Sequence, residues 1–268
     1  MPPTASSNTG TVLQREVWRS ISLAEKIPEN IRKRDPALLQ RTIARMAQGL
    51  KVEWKSSVDH GWLSIATKGD DAEAFESLLK KELGQSPVQL SGVEKWDVWK
   101  GFITGAGQVG YGVYVDLGIR KPRPKDALYP LHRMRAQLAD GKPEPAKQIL
   151  TVNALTDYLP VKVTVTEIDQ DKVTVELADE TLERMMSWQK YPFDRIILVG
   201  LTNAEAESLV RQMRLSTDII EVGRLSLFVQ QYVLKIGTQA PGIIAKIGGR
   251  LRGISLTAYH SSKKLDWD

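Results

Sequence analysis

The chain has 268 residues, 42% of them hydrophobic and 26% charged, and carries a formal net charge of +5. That size and balance suit a soluble chain of two or three compact units, and no apolar run approaches the ~20 residues a membrane span needs. With no cysteine, disulfides, thiolate metal sites and cysteine nucleophiles are excluded. The three histidines, His60, His132 and His260, lack metal-ligand spacing.

Residues 1–10, "MPPTASSNTG", lack the basic flank and apolar stretch of a secretory signal and read as a disordered tail. A first α+β unit is expected over 11–94. "EVWRSISLAEKI" alternates as a strand. "DPALLQRTIARMAQGL" predicts a helix with Asp35 as N-cap, Pro36 at the first helical position and an end at Gly49. "KVEWKSSVDHGWLSIATKG" predicts two strands around Asp59–Gly61, and "DDAEAFESLLKKELG" a second helix closed by Gly84. A last strand near 88–91 would complete a ferredoxin-like order.

The middle unit is expected over 95–182. "KWDVWKGFITG" and "GYGVYVDLGI" predict strands joined by a glycine-rich bend. The basic loop "RKPRPKDALYP" contains a short third strand. "LHRMRAQLADGKPEPAKQILTVNAL" predicts helix, loop and helix, and "LPVKVTVTEIDQDKVTVELAD" a hairpin around Asp169–Asp171. Three strands, a helical insert and two strands match a five-stranded OB-type β-barrel.

A third unit is expected over 183–268. "FDRIILVGL" reads as a buried strand, and "TNAEAESLVRQMRL" as a helix opened by Thr202 or Asn203. "DIIEVGRLSLFVQQYVLKIG" is long enough for two strands bent near Gly223–Arg224. "QAPGIIAKIGGRL" predicts a short helix and "GISLTAYHS" a closing strand. The fold class expected is α+β: a central barrel flanked by two ferredoxin-like units.

Charge is unevenly spread. Residues 120–147 hold eight cations against three acids, and residues 242–264 hold five cations and no acid. Two basic clusters on an acidic remainder point to a polyanion partner. In "GAGQVGYGVYVDLGI", Tyr111 and Tyr114 stand among glycines on a predicted strand. Such rings can stack bases. Simple alternation puts them on opposite faces, so a bulge at Gly110 or Gly112 would be needed to re-aim one.

"KGFITGAGQVGYGVYVDLGI…DALYPLH…LPVKVTVTEID…DKVTVEL" resembles the S-one RNA-binding domain. Tyr111, Gly112, Tyr114 and Val115 fill its second-strand positions, and Ala127 to Pro130 its third. Pro130 replaces the usual histidine, with His132 two residues later. The whole layout also resembles an archaeal family of unknown function with such a domain between two α+β units.

Other motifs carry less. "KIGGRLRG" spaces Gly249 and Gly253 four apart, where a KH loop needs three. "GAGQVG" lacks the strand-to-helix context of a dinucleotide loop. Turn chemistry and solvated strands explain the acids between Glu167 and Glu180, and Trp54, Trp62, Trp96 and Trp99 read as core or interface anchors.

The expected function is therefore non-enzymatic RNA binding in the cytoplasm, tied to translation or RNA processing, with no cofactor, metal or membrane. Phosphates would meet Arg120, Lys121, Arg123, Lys125, Arg133 and Arg135, with Arg250 and Arg252 as a second contact. Bases or riboses would meet Tyr111, Tyr114, Tyr129 and His132. The outer units would bind a protein partner or a second copy. The alternative is a protein-interaction scaffold in a larger, ribosome-associated complex.

Overall fold

The computed structural model describes residues 17–170 and 172–262; the expected tail over 1–10 lies outside them. The first unit runs β1 (Arg19–Lys26), α1 (Glu29–Arg34), α2 (Leu38–Met46), β2 (Glu53–Asp59), β3 (Trp62–Lys68) and α3 (Ala72–Leu83). Its antiparallel sheet has the order β1-β3-β2. Leu38, Leu39 and Ile43 give α2 one buried stripe against that sheet, and Phe75, Leu79 and Leu83 do the same for α3. Gly84 closes α3 with φ +79°, a conformation L side chains rarely adopt.

Two expectations for this unit fail. Helix α2 begins at Leu38 rather than after Asp35, because Asp35 accepts the Ala37 N–H at 3.1 Å and pairs with Arg41, organising the preceding turn. No last strand forms at 88–91. The barrel captures that segment: the Arg120 and Lys121 N–H groups donate to the Val88 carbonyl, and the Leu90 N–H donates to Lys121. Val88 sits at φ +52°, which breaks the extended run. A single antiparallel bridge, Leu23–Gln85, stands where a fourth strand would be.

The middle unit comprises β4 (Val98–Thr104), β5 (Gly112–Ile119), β6 (Lys125–Pro130), α4 (Leu131–Leu138), α5 (Ala146–Val152), β7 (Pro160–Asp169) and β8 (Lys172–Leu177). The strands close into a barrel in the order β4-β5-β6-β8-β7, with β6 and β8 parallel. Period-two alternation fills it: Val113 and Val115, Ala127 and Tyr129, Val161, Val163 and Val165, and Val173 and Val175 all face inward.

Helix α6 (Asp179–Lys190), absent from the sequence expectation, leads into β9 (Arg195–Val199), α7 (Asn203–Gln212), β10 (Ile219–Ser226), β11 (Val229–Leu234), α8 (Ala240–Gly248) and β12 (Ser255–Tyr259). The sheet is antiparallel, β10-β11-β9-β12. Both faces of β9 are covered. Ile196 and Leu198 pack with Leu209, Ile243 and Ile247 of the helices, while Ile197 and Val199 join the barrel core beside Trp188 and Tyr259. Thr202 opens α7 as expected, in a full capping box with Glu205. The β10–β11 hairpin does not turn at Gly223–Arg224, which pair with Gln231 and Gln230; only a register shift follows Arg224. Its tip is Leu227–Phe228, and these two side chains lie in the core of the first unit.

The three units are joined by buried polar contacts. Glu25 of β1 is 1% exposed. It accepts from the Lys100 ammonium of β4 and, at 3.1 Å, from the Leu227 N–H. Trp62 meets Phe102 edge-on, with centroids 5.6 Å apart. Its indole N–H lies 3.0 Å from both Asp116 oxygens, and Lys26 reaches the same carboxylate at 2.6 Å. The first unit therefore lies on the outer face of β4 and β5.

Asp194 ties the ends of the third unit together. It accepts from the Ala240 and Ser261 N–H groups and the Ser261 hydroxyl, with His260 Nδ1 at 3.3 Å. Burial pulls its carboxyl upward, but these donors and the charge of His260 outweigh that and hold it below its ordinary value. A depressed carboxylate stabilises the fold above its unfolded pKa, about 3.9, and loses that contribution as pH falls through the lower folded value. Acid unfolding of Asp194→Asn, followed by circular dichroism, is expected to be shallower than wild type below about pH 4. Superimposable profiles would remove Asp194 from the linkage.

Candidate nucleic-acid interface

Tyr111 precedes the first residue of β5, so the pleat does not dictate its direction. It turns to the same side as Tyr114. The two rings stand edge-to-face at 90° with centroids 6.4 Å apart, and their hydroxyls hydrogen-bond at 2.8 Å. The alternation problem is thus resolved by where the strand starts. Gly112 makes this possible. Its backbone runs so close to β6 that a Cβ would meet the Tyr129 carbonyl, while the Tyr111 carbonyl accepts the Leu131 N–H at 2.8 Å. Tyr111 is 54% exposed. The hydrogen bond to Tyr111, then burial and the nearby charges of Tyr111 and Asp126, push the Tyr114 phenol up, so it stays neutral.

The tyrosine pair borders a continuous outer row. Thr104, Tyr114, Leu128 and Thr174 sit opposite one another across β4, β5, β6 and β8. His132 is exposed on α4, one residue beyond the Leu131–Tyr111 bond, and Arg133 beside it pairs with Glu176 at 3.3 Å.

Three expected contacts have other duties. Tyr129 is fully buried inside the barrel, with its hydroxyl donating to Gln137 at 2.9 Å; burial pushes its phenol far up. No base reaches that ring. Arg120 is also buried: it donates to Ser22 Oγ at 3.0 Å and lies 3.3 Å from Asp59, so it fastens the barrel to the first unit. Arg135 clasps the α4–α5 loop through the Glu144 and Pro143 carbonyls.

Lys121 and Arg123 are exposed in the β5–β6 loop and Lys125 is half-buried at the start of β6. This loop follows the end of β5 opposite to Tyr111, across eight residues, or roughly 25 Å of strand. The expected site thus divides into an aromatic patch and a basic patch. Between them the outer face of β5 carries Asp116, which is covered by Trp62 and Lys26. Arg250 and Arg252 are exposed after α8, in a segment whose Gly253 carbonyl accepts from Asn30 of α1.

Sequence reasoning missed the Trp62–Asp116–Lys26 cluster, whose members lie far apart in the chain. It also missed a cation run that was visible. Residues 32–45 carry Arg32, Lys33, Arg34, Arg41 and Arg45, hidden there in an ordinary helical pattern. Among the described residues no group of three or more metal-ligating side chains converges, and no helix is long and apolar enough to cross a membrane.

Fold and site define a mixed α+β protein built around a closed five-stranded barrel, with an exposed Tyr111 paired to a half-buried Tyr114 on its rim. Residues 93–189 match the family described as the DUF2110 central domain, and residues 193–258 match the DUF2110 C-terminal domain. The chain belongs to the DUF2110 family. No curated protein matches it.

Proposed function

We propose that this is a non-enzymatic RNA-binding protein of the cytoplasm, tied to translation or RNA processing. The carrying observation is the Tyr111–Tyr114 pair: Tyr111 exposed and Tyr114 half-buried, hydrogen-bonded to each other and held by a close strand contact at Gly112. An unpaired base stacks on the open ring, and Lys121, Arg123 and Lys125 take phosphates further along the strand. The barrel order, with a single parallel pair between its third and fifth strands, supports an OB-type reading. The order β10-β11-β9-β12, with its two helical crossovers, supports a ferredoxin-like third unit. The first unit fits that pattern with a bridge in place of its last strand.

Fluorescence anisotropy of a short single-stranded RNA tests the proposal. Base stacking on an aromatic contributes about 1–3 kcal/mol, so Tyr111→Ala/Tyr114→Ala is expected to weaken binding roughly 5- to 150-fold. An unchanged affinity in a folded variant would make the tyrosines packing residues. One observation favours the second reading, a protein-interaction scaffold. Such barrels bind nucleic acid across their second and third strands, here β5 and β6, and the outer face of β5 is partly occupied by Trp62. Lack of RNA binding by the wild type, with partners that survive nuclease, would select it.

A further inference from the structure

A cleft of about 290 Å³ opens on the seam between the first and third units. One wall is α2, bearing Arg41 and Arg45 one helical turn apart; the other is the start of α7 and β10, bearing Arg224. Three arginines from two units thus line one space. Their neutralisation is incomplete. Arg41 pairs with Asp35, and Arg224 reaches Glu82 only at 3.7 Å. Arg45 has no ion-pair partner among the described residues. The acid in the lining, Glu207, is engaged by Asn203 at 2.7 Å and Arg211 at 3.8 Å.

Like charges held together in a cleft repel, and a bound anion relieves the cost. Guanidinium forks match phosphate oxygens in pairs. Among the described residues no aromatic ring lines the cleft, so these offer nothing for a base to stack on. The hydroxyls of Thr42 and Thr202 donate to the Leu38 carbonyl and the Glu205 carboxylate, so the arginines are the cleft's anion-binding groups. The basic surface also continues beyond it. Asn30 donates to the Gly253 carbonyl, which brings Arg252 beside α1 and its Arg32 and Lys33.

We infer that this seam is a second nucleic-acid contact, in which Arg41, Arg45 and Arg224 hold consecutive backbone phosphates of the RNA strand. The inference rests on the RNA-binding reading of the barrel. It adds a site that recognises phosphate alone, on the other side of the first unit from the tyrosine pair's strand.

The full chain is titrated with a labelled 20-nucleotide single-stranded RNA across a salt series. For single strands each phosphate contact contributes about 0.7 to the slope of log K against log salt. Arg41→Gln/Arg45→Gln/Arg224→Gln is expected to flatten that slope by about 2, and Arg45→Gln alone by about 0.7. Arg45→Gln removes no ion pair, so folding is not in question for it. Tyr111→Ala/Tyr114→Ala should lower affinity with the slope unchanged. Wild-type binding with the same slope in both arginine variants overturns the seam site and leaves the barrel reading intact. Absence of RNA binding by the wild type overturns both. In a parallel arm, thermal melting is followed with sodium tripolyphosphate. Stabilisation of the wild type but not of the triple variant, with RNA slopes unaltered, would assign the cleft to a free oligophosphate and overturn the strand assignment.

Discussion

Glu25→Ala is expected to lower the stability of the chain by about 3–5 kcal/mol. The reason is what the substitution leaves behind. Lys100, with a side chain only 20% exposed, loses its carboxylate, and the buried Leu227 N–H loses its acceptor. Removing one member of a buried pair costs more than the pair contributes, because the surviving charge stays desolvated. For a protein of this size the change corresponds to a melting temperature lower by roughly 6–20 °C. Glu25→Gln keeps an acceptor for Leu227 but no charge for Lys100, so it should fall between wild type and alanine. Calorimetry reads both variants. A melting temperature within 2 °C of wild type for Glu25→Ala, on the order of 1 kcal/mol, would mean that water replaces the carboxylate and that the clamp contributes little.

Trp62→Ala should cost a similar amount, about 3–5 kcal/mol, by a different route. The ring is 1% exposed and packs edge-on to Phe102. It also fills the space beside Gly118, where a Cβ would come within 2.9 Å of the indole. Truncation leaves a cavity between two units and takes one donor from Asp116, whose remaining partners are Lys26 and the Gly118 N–H. Trp62→Phe separates these effects: it retains most of the packing and deletes only the hydrogen bond, for about 1–3 kcal/mol. Denaturant melts measure the difference: near-identical losses would place the whole effect in the hydrogen bond, and wild-type stability of Trp62→Phe would place it in packing. Trp62→Phe also bears on function. If RNA is held at the barrel rim and the basic patches, its affinity should stay at the wild-type value.

The order of elements was legible because periodicity is a local signal. Alternating valines on β7 and β8 mark a half-buried hairpin, and Leu38, Leu39 and Ile43 mark a helix. Failures came where distant residues overrule local preference. Gly223 invites a bend, yet the hairpin turns at apolar Leu227–Phe228, because a hydrophobic core elsewhere accepts those side chains. Residues 88–91 have strand character, but the barrel backbone bonds to them first. Helix α1 spans only six residues, too few for a period to show.

The candidate site divides in the same way. Tyr111, Tyr114, Lys121 and Arg123 were found from residue type and spacing, and all lie at the surface or its margin. Arg120 and Lys121 look alike in sequence. One is buried against Ser22 and Asp59 and the other faces solvent, a distinction set entirely by the first unit. Tyr129 shares the strand face of Ala127, so its burial was implicit in the alternation.

The place of Leu227 and Phe228 in the first unit's core carries a consequence for synthesis of the chain. The segment up to Gly92 leaves the ribosome long before Phe228 exists. At ~5–20 residues per second, an interval on the order of ten seconds separates the two. Throughout that time the first unit has an open hydrophobic hollow around Leu23, Phe75 and Leu79. It can collapse but cannot close. The nascent chain is therefore a natural client for chaperones that shield apolar surface, and a stop codon anywhere before Leu227 would release a product with a permanently unfilled core.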